Sequence, residues 1–378
     1  MKLVTRSSLI FFCFSFIVPQ VKLSAQTQRK IEFPDLPDYQ TLISDLHQHT
    51  VFSDGSVWPD IRVKEALFDG VDVIALTEHL EYQPHQKDLP HKDRNRSYKL
   101  AKEYAKNHEL IVIHGAEITR DLPPGHSNAL FIQDANQLVH DDYMDAFREA
   151  KKQGAFIFWN HPNWVGQNKQ GITKLSPIHE TLIKEGLLHG VEVTNENTFA
   201  DQALTIANEN ELTILGTSDI HELIDWLFDI PGGGHRPVTL VFVKERSEIG
   251  VKDALFDGRT VAWYKNSLIG QEKYLIPLIE SSLVVDTAYY QMYGNKETQI
   301  ANVVIFNHSD ATYLLNNESD FSFYHATDVI QLNPQTSTTL SVKTIKSLSS
   351  FELNFEVLNA IYAKKMHPKI RLEINIKP

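Results

Sequence analysis

Ser44-Asp45-Leu46-His47-Gln48-His49-Thr50-Val51-Phe52-Ser53-Asp54-Gly55 places two imidazoles two residues apart beside an acid and a turn. Residues i and i+2 of a strand point to one face. Thr41-Leu42-Ile43 reads as the strand body, and Ser53-Asp54-Gly55 as the turn that ends it. The pair His47 and His49 therefore sits at a strand's C-terminal end. Neutral imidazole is a good ligand for a borderline divalent ion, so adjacent rings on one face point to metal. Taken alone, the pair could equally be half-buried core histidines.

Four further segments repeat the pattern. Leu76-Thr77-Glu78-His79, His114-Gly115-Ala116-Glu117, Asn160-His161-Pro162 and Gly216-Thr217-Ser218-Asp219-Ile220-His221 each close an apolar run. Asp219 and His221 are again two apart and are expected to share a face. Helical stretches are expected at 60–69, 94–107 and 142–153. Strand–helix units with polar groups at the strand exits describe a barrel of the TIM kind or a relative.

The ordered motifs Asp-Leu-His-x-His-Thr-x-x-Ser-Asp-Gly, Thr-Glu-His, Gly-x-Glu, Asn-His-Pro and Ser-Asp-x-His resemble the PHP (polymerase and histidinol phosphatase) superfamily over residues 41–264. Pro123-Pro124-Gly125-His126 and Gly232-Gly233-Gly234-His235-Arg236-Pro237 resemble the secreted bacterial phosphodiesterase-like members with an added C-terminal β domain. The resemblance implies a distorted (β/α)7 barrel of TIM-like form holding three divalent ions. It assigns His47, His49, Glu117 and Asp219 to one ion. Glu117, His126 and His161 go to a second, and Asp54, His79 and His221 to a third. A glutamate can bridge two cations through its two oxygens, and this donor set suits Zn, Mn or Fe. Clustered ions can make hydroxide near neutral pH and neutralise a phosphate. That favours a phosphoesterase acting on small phosphodiesters or phosphomonoesters. Amidohydrolase or lactonase chemistry, with fewer metals, is the alternative, and a non-catalytic metal-stabilised binding module is a third.

Other residues carry weaker signals. Arg236 follows a glycine-rich segment that could form a lid, where a guanidinium would clamp phosphate; a surface loop residue fits as well. His235 could protonate a leaving group or be solvated. Arg120, three residues after Glu117, could reach the same phosphate. Trp164 could floor a substrate pocket or belong to the core. Glu78, one residue before His79, is expected to face away from it. The remaining histidines show no pattern and read as structural.

Composition sets the frame. The chain has 378 residues and a net charge of −12, enough for a barrel and a small second domain. Lys2 and Arg6 precede an apolar run over 8–18, and Leu23-Ser24-Ala25 offers a cleavage site, so residues 1–25 read as a secretory signal too short to anchor a membrane. Export to the bacterial periplasm follows. Removing Lys2, Arg6 and Lys22 takes the charge to −15, which disfavours nucleic acid as a partner but not a small phosphate ester on bound cations. Cys13, the only cysteine, lies in the signal, so no thiolate ligand is available. Residues 26–40 read as a loosely packed leader, and 265–283 as a bridge whose helix spans 271–282 despite Pro277. Residues 284–378 read as a β-sandwich, with short strands at 303–307, 321–324, 338–342 and 371–376.

Overall fold

The computed structural model describes residues 30–377; the expected signal segment and the first leader residues lie outside them. In the larger domain the strands are β1 (Gln40–Asp45), β2 (Val73–Leu76), β3 (Ile111–Ile118), β4 (Ser127–Leu130), β5 (Phe156–Trp159), β6 (Gly190–Asn195), β7 (Thr198–Phe199), β8 (Thr213–Thr217), β9 (Val238–Val243), β10 (Thr260–Tyr264) and β11 (Ser267–Gly270). The helices are α1 (Pro59–Asp69), α2 (Arg96–Ala105), α3 (Tyr143–Lys152), α4 (Pro177–Lys184), α5 (Asp201–Glu209), α6 (Ile224–Phe228), α7 (Glu248–Phe256) and α8 (Glu272–Ser282). Local chemistry sets their ends. Pro59 opens α1 and left-handed Gly70 closes it, while Asp142 and Ser247 cap α3 and α7 with side-chain acceptors, as orphan helix N–H groups require.

The strands form one curled, mixed sheet rather than a ring of seven parallel βα units. β1, β2 and β3 are parallel, but β4 runs antiparallel to β3 and β5, and β9 antiparallel to β1 and β10. The reason lies in the connections. A parallel neighbour needs a crossover of a dozen or more residues, usually helical. No helix separates β3 from β4, so β4 turns back antiparallel beside it. β8 pairs in a ladder with β6, and side chains tie it to β9. Gly216 N donates to Thr239 Oγ1 at 3.0 Å, and Thr239 Oγ1 donates to Gly216 O at 2.8 Å. A Cβ at Gly216 would lie 2.6 Å from Thr194 Oγ1, so this approach requires glycine.

The sheet extends beyond the expected barrel end at 264. β11 pairs with β10 and then with β19 (Ala360–Ile361) from the second domain. That domain packs two four-stranded sheets. One has the order β12 (Leu283–Tyr293), β13 (Lys296–Asn307), β17 (Ser337–Lys343), β15 (Ser322–Phe323). The other has β16 (Val329–Leu332), β14 (Tyr313–Asn317), β18 (Ser350–Val357), β20 (Lys369–Asn375). β18 and β20 alternate buried and exposed residues, as a sandwich strand should.

Residues 30–39 are packed, not loose. Ile31 and Leu36 are buried, Phe33 meets Trp263 edge-on at 5.1 Å, and Glu32 exchanges two 2.9 Å hydrogen bonds with Asp310. One apolar core joins this segment, Val63 of α1, Leu275 and Ile279 of α8, and Leu353 and Phe355 of the sandwich.

Candidate metal centre

The strand exits bring the candidate ligands to one place. His47 and His49 follow β1 in extended chain, and their Nε2 atoms lie 3.0 Å apart. Asp219 Oδ1 is 3.1 Å from each, and Glu117 Oε2 is 3.6 Å and 3.4 Å from them. Asp54 Oδ2 lies 3.4 Å from His79 Nε2, and its Oδ1 lies 3.2 Å from His221 Nε2. Glu117 Oε1 stands 2.8 Å from His126 Nδ1 and 3.7 Å from His161 Nε2. The donor atoms of His49, Asp54, His79 and His221 lie within 4.8 Å of one another, as do those of His47, His49 and Asp219, and those of His79, Glu117 and His126.

Local folding explains the convergence. The turn after His49 closes with Ser53 N and Gly55 N donating to Thr50 O at 3.0 Å. A Cβ on Gly55 would come within 2.7 Å of the His49 and Thr50 main chain; glycine lets the turn fold back and deliver Asp54. Glu78 faces away from His79, as expected, and turns to this loop, accepting from Thr50 N at 3.1 Å and from the Thr50 and Ser53 hydroxyls. Asp219 and His221 do not share a strand face. Asp219 has φ +49°, which sends its carboxylate to the His47–His49 pair while His221 turns to Asp54. His161, with φ +25°, and Glu196, with φ +45°, are likewise left-handed. Such backbone strain gathers at functional sites.

The electrostatics fit a cation. Burial lowers the His47 pKa, yet the Asp219 and Glu192 carboxylates outweigh it and hold the ring well above its ordinary value. Burial, with the His221 and His79 rings, pushes His49 down to about 3. Glu117 is fully buried, but the histidines around it, His79 first, hold it well below the usual carboxylate range. Asp54 Oδ1, Glu117 Oε2 and His126 Nδ1 are buried without a hydrogen bond. Buried polar atoms left this way are costly in proteins, and divalent ions in these groups would satisfy them. The site opens through a cleft of about 160 Å³ lined by Asp54, His79, His126, His161, Trp164, Asn195, Glu196, Asp219 and His221.

Over 93% of its length the chain is 40% identical to a two-domain protein from Bacteroides vulgatus ATCC 8482 containing a predicted PHP-like metal-dependent phosphoesterase. It covers 100% of that chain with a TM-score of 0.85. The chain belongs to this PHP-like family. An Ig-like domain family matches residues 283–373. Two solved structures align over 47% of the PHP-like chain and 87% of their own length, each with a TM-score of 0.36: a candidate metal-dependent phosphoesterase from Bifidobacterium adolescentis at 20% identity, and an amidohydrolase from Chromobacterium violaceum with bound sulfate and no metal at 15%. No curated protein matches.

Three expected residues of the PHP-like chain lie elsewhere. Arg236 is not on a lid: it is fully buried, with Nη2 2.6 Å from Asp69 and Nη1 3.1 Å from Asp45. His235 stacks on Trp263 with centroids 3.6 Å apart and does not line the cleft. Arg120 pairs with Glu81 at 2.8 Å and donates to the Asp141 and His140 carbonyls, which turns it from the donors.

Two supports carried no sequence signal of their role. Glu192 on β6 takes His47 Nδ1 at 2.7 Å, accepts from Thr217 Oγ1 at 2.6 Å, and accepts from His161 N, so one carboxylate orients two ligands. Arg62 of α1, buried, donates to the His49, Ile220 and His221 carbonyls and clamps two strand exits together. Asn160 donates to Glu117 Oε1 at 2.9 Å.

Proposed function

We propose that the protein is a metal-dependent phosphoesterase with a three-ion site, acting on small phosphodiesters in preference to monoesters. The observation that carries this reading is the meeting of three overlapping donor groups at one cleft. His47, His49, Glu117 and Asp219 would hold one ion, Glu117, His126 and His161 a second, and Asp54, His79 and His221 a third; Zn, Mn and Fe suit these nitrogen and oxygen donors. Ions bound there supply Lewis acidity toward phosphoryl oxygens and an acidified water. The chain's own part is positioning: Glu192 fixes the His47 ring, Asn160 fixes Glu117, and Arg62 holds the backbone of His49 beside that of His221.

The preference for diesters rests on the resemblance of the segments 123–126 and 232–237 to secreted phosphodiesterase-like members. The resemblance to the Bacteroides vulgatus protein supports the reaction class. With residues 1–25 read as a signal, the site of action would be the periplasm.

The test is metal content measured together with hydrolysis of bis-p-nitrophenyl phosphate and p-nitrophenyl phosphate on the same chelator-free sample. About three equivalents of metal and faster turnover of the diester are expected. Metal-loaded protein that cleaves an aryl acetate or anilide but neither phosphate would overturn the proposal.

A further inference from the structure

The cleft of about 160 Å³ is small beside the ~300–1,000 Å³ of sites that enclose a whole organic ligand. A phosphoryl group fits within it, but the organic part of an ester must lie across the rim. Two aromatic rings stand there. Trp164 lines the cleft and is 46% exposed. Its ring lies 5.4 Å from His161 and 5.8 Å from His126, centroid to centroid. Tyr82, 53% exposed, meets His79 edge-on at 5.8 Å.

The chain around Trp164 is built to hold it. A Cβ on Gly166 would lie 2.4 Å from Trp164 Cζ2 and 2.6 Å from Cε2, so the indole rests on bare main chain that only glycine supplies. Gln167 N and Asn168 N both donate to Trp164 O, at 3.2 Å and 2.8 Å. Gln167 Nε2 ties the loop to Arg120 O at 3.0 Å, and Asn168 Nδ2 ties it to Ile172 O at 2.8 Å. A large ring held in place yet half exposed beside the ligands offers its π surface to whatever leaves the cleft. Aromatic rings prefer offset stacks with other planar rings.

We propose that Trp164 is a specificity-determining residue, a fixed shelf that stacks a planar aromatic group of the ester while the phosphate reaches the donors. The inference rests on the phosphoesterase reading and selects aryl- or nucleobase-bearing esters over alkyl ones. Non-hydrolysable probes test it on the metal-loaded full chain: phenylphosphonate, cyclohexylphosphonate and methylphosphonate, with inorganic phosphate as reference, by titration calorimetry. Phenylphosphonate should bind roughly tenfold tighter than the other two, the scale of ring–aromatic stacking. Trp164→Ala should abolish that preference, and Trp164→Phe should keep most of it. Gly166→Ala retains the indole but displaces it, and should lose the preference too. Phosphate affinity and metal content should stay unchanged throughout. A phenyl preference that is absent in the wild type, survives in both Trp164→Ala and Gly166→Ala, or is matched by cyclohexylphosphonate overturns the shelf alone. Failure of the metal-loaded wild type to bind any of the four probes removes the phosphoesterase reading, and the shelf with it.

Discussion

Replacing Arg236 with Ala removes a guanidinium that is completely buried and donates to Asp69 Oδ2 through Nε at 3.0 Å and Nη2 at 2.6 Å, and to Asp45 Oδ2 through Nη1 at 3.1 Å. The two carboxylates remain, one fully buried and the other nearly so. Losing one partner of a buried ion pair costs ~3–5 kcal/mol, because the charge left behind has neither water nor counterion. For a protein of this size that corresponds to a fall in Tm of roughly 4–7 °C. The damage should also reach the site. Asp45 accepts from Ser218 N at 3.1 Å, Ser218 Oγ at 2.7 Å and Gln48 Nε2 at 2.8 Å, so it holds the neighbours of His47, His49 and Asp219. Differential scanning calorimetry with metal analysis should show a lower Tm and weaker metal retention together. Arg236→Lys should recover only part of the loss, since one ammonium cannot reproduce the three-point contact. An unchanged Tm with a selective rise in KM would refute this reasoning and return Arg236 to the substrate.

Asp54→Ala should spare the fold but remove about one equivalent of bound metal and most of the turnover; wild-type metal content and rate would count against a working third site. Glu192→Gln should weaken metal affinity by roughly 10- to 100-fold, as loss of a carboxylate behind a ligand histidine does, read by competition with a chromogenic chelator. An affinity within threefold of wild type would deny Glu192 its orienting role. Burial holds His114 and His189 down to about 4, below their unfolded value near 6.5. Their neutral forms therefore favour folding above about pH 6.5, and that stability drains as pH falls toward 4. His114→Phe keeps the 4.2 Å stack on Tyr98 and should flatten part of the Tm decline over this window; an identical slope would exclude His114 as a contributor.

Most candidate ligands were legible because they sit at the end of an apolar run, and a strand's period of two turns spacing into facing; Asp54 and His126 came from the resemblance alone. Asp219 shows the limit: its left-handed backbone breaks that period, so the donors still converge but not as strand neighbours. Arg236 was misplaced because Gly232-Gly233-Gly234 reads as a mobile loop. The stronger signal came two residues later, where the run Val238–Val243 begins a buried strand and draws the preceding side chain inward. Glu192 stood between Val191 and Val193 in an alternating run, which marks a strand. Its partner His47 lies 145 residues away, a pairing that only tertiary structure creates. The mixed strand directions were hidden for a similar reason. Strand direction depends on where each connection returns the chain, and the short link before β4 is not visible as a reversal in a hydrophobic pattern.

The pairing of β11 with β19 has a consequence for solubility. β11 would otherwise end the sheet with a row of free N–H and C=O groups beside buried Leu268 and Ile269, and an open apolar edge of that kind recruits other chains. Two residues of the Ig-like domain, Ala360 and Ile361, occupy it in parallel register. A chain truncated before residue 284 should therefore both melt earlier and self-associate, with light scattering rising with concentration. A truncate that stays monodisperse would show that the edge is harmless. On that side of the sheet the second domain supplies what a closed barrel obtains from its own curvature, a strand with no vacancy for a stranger.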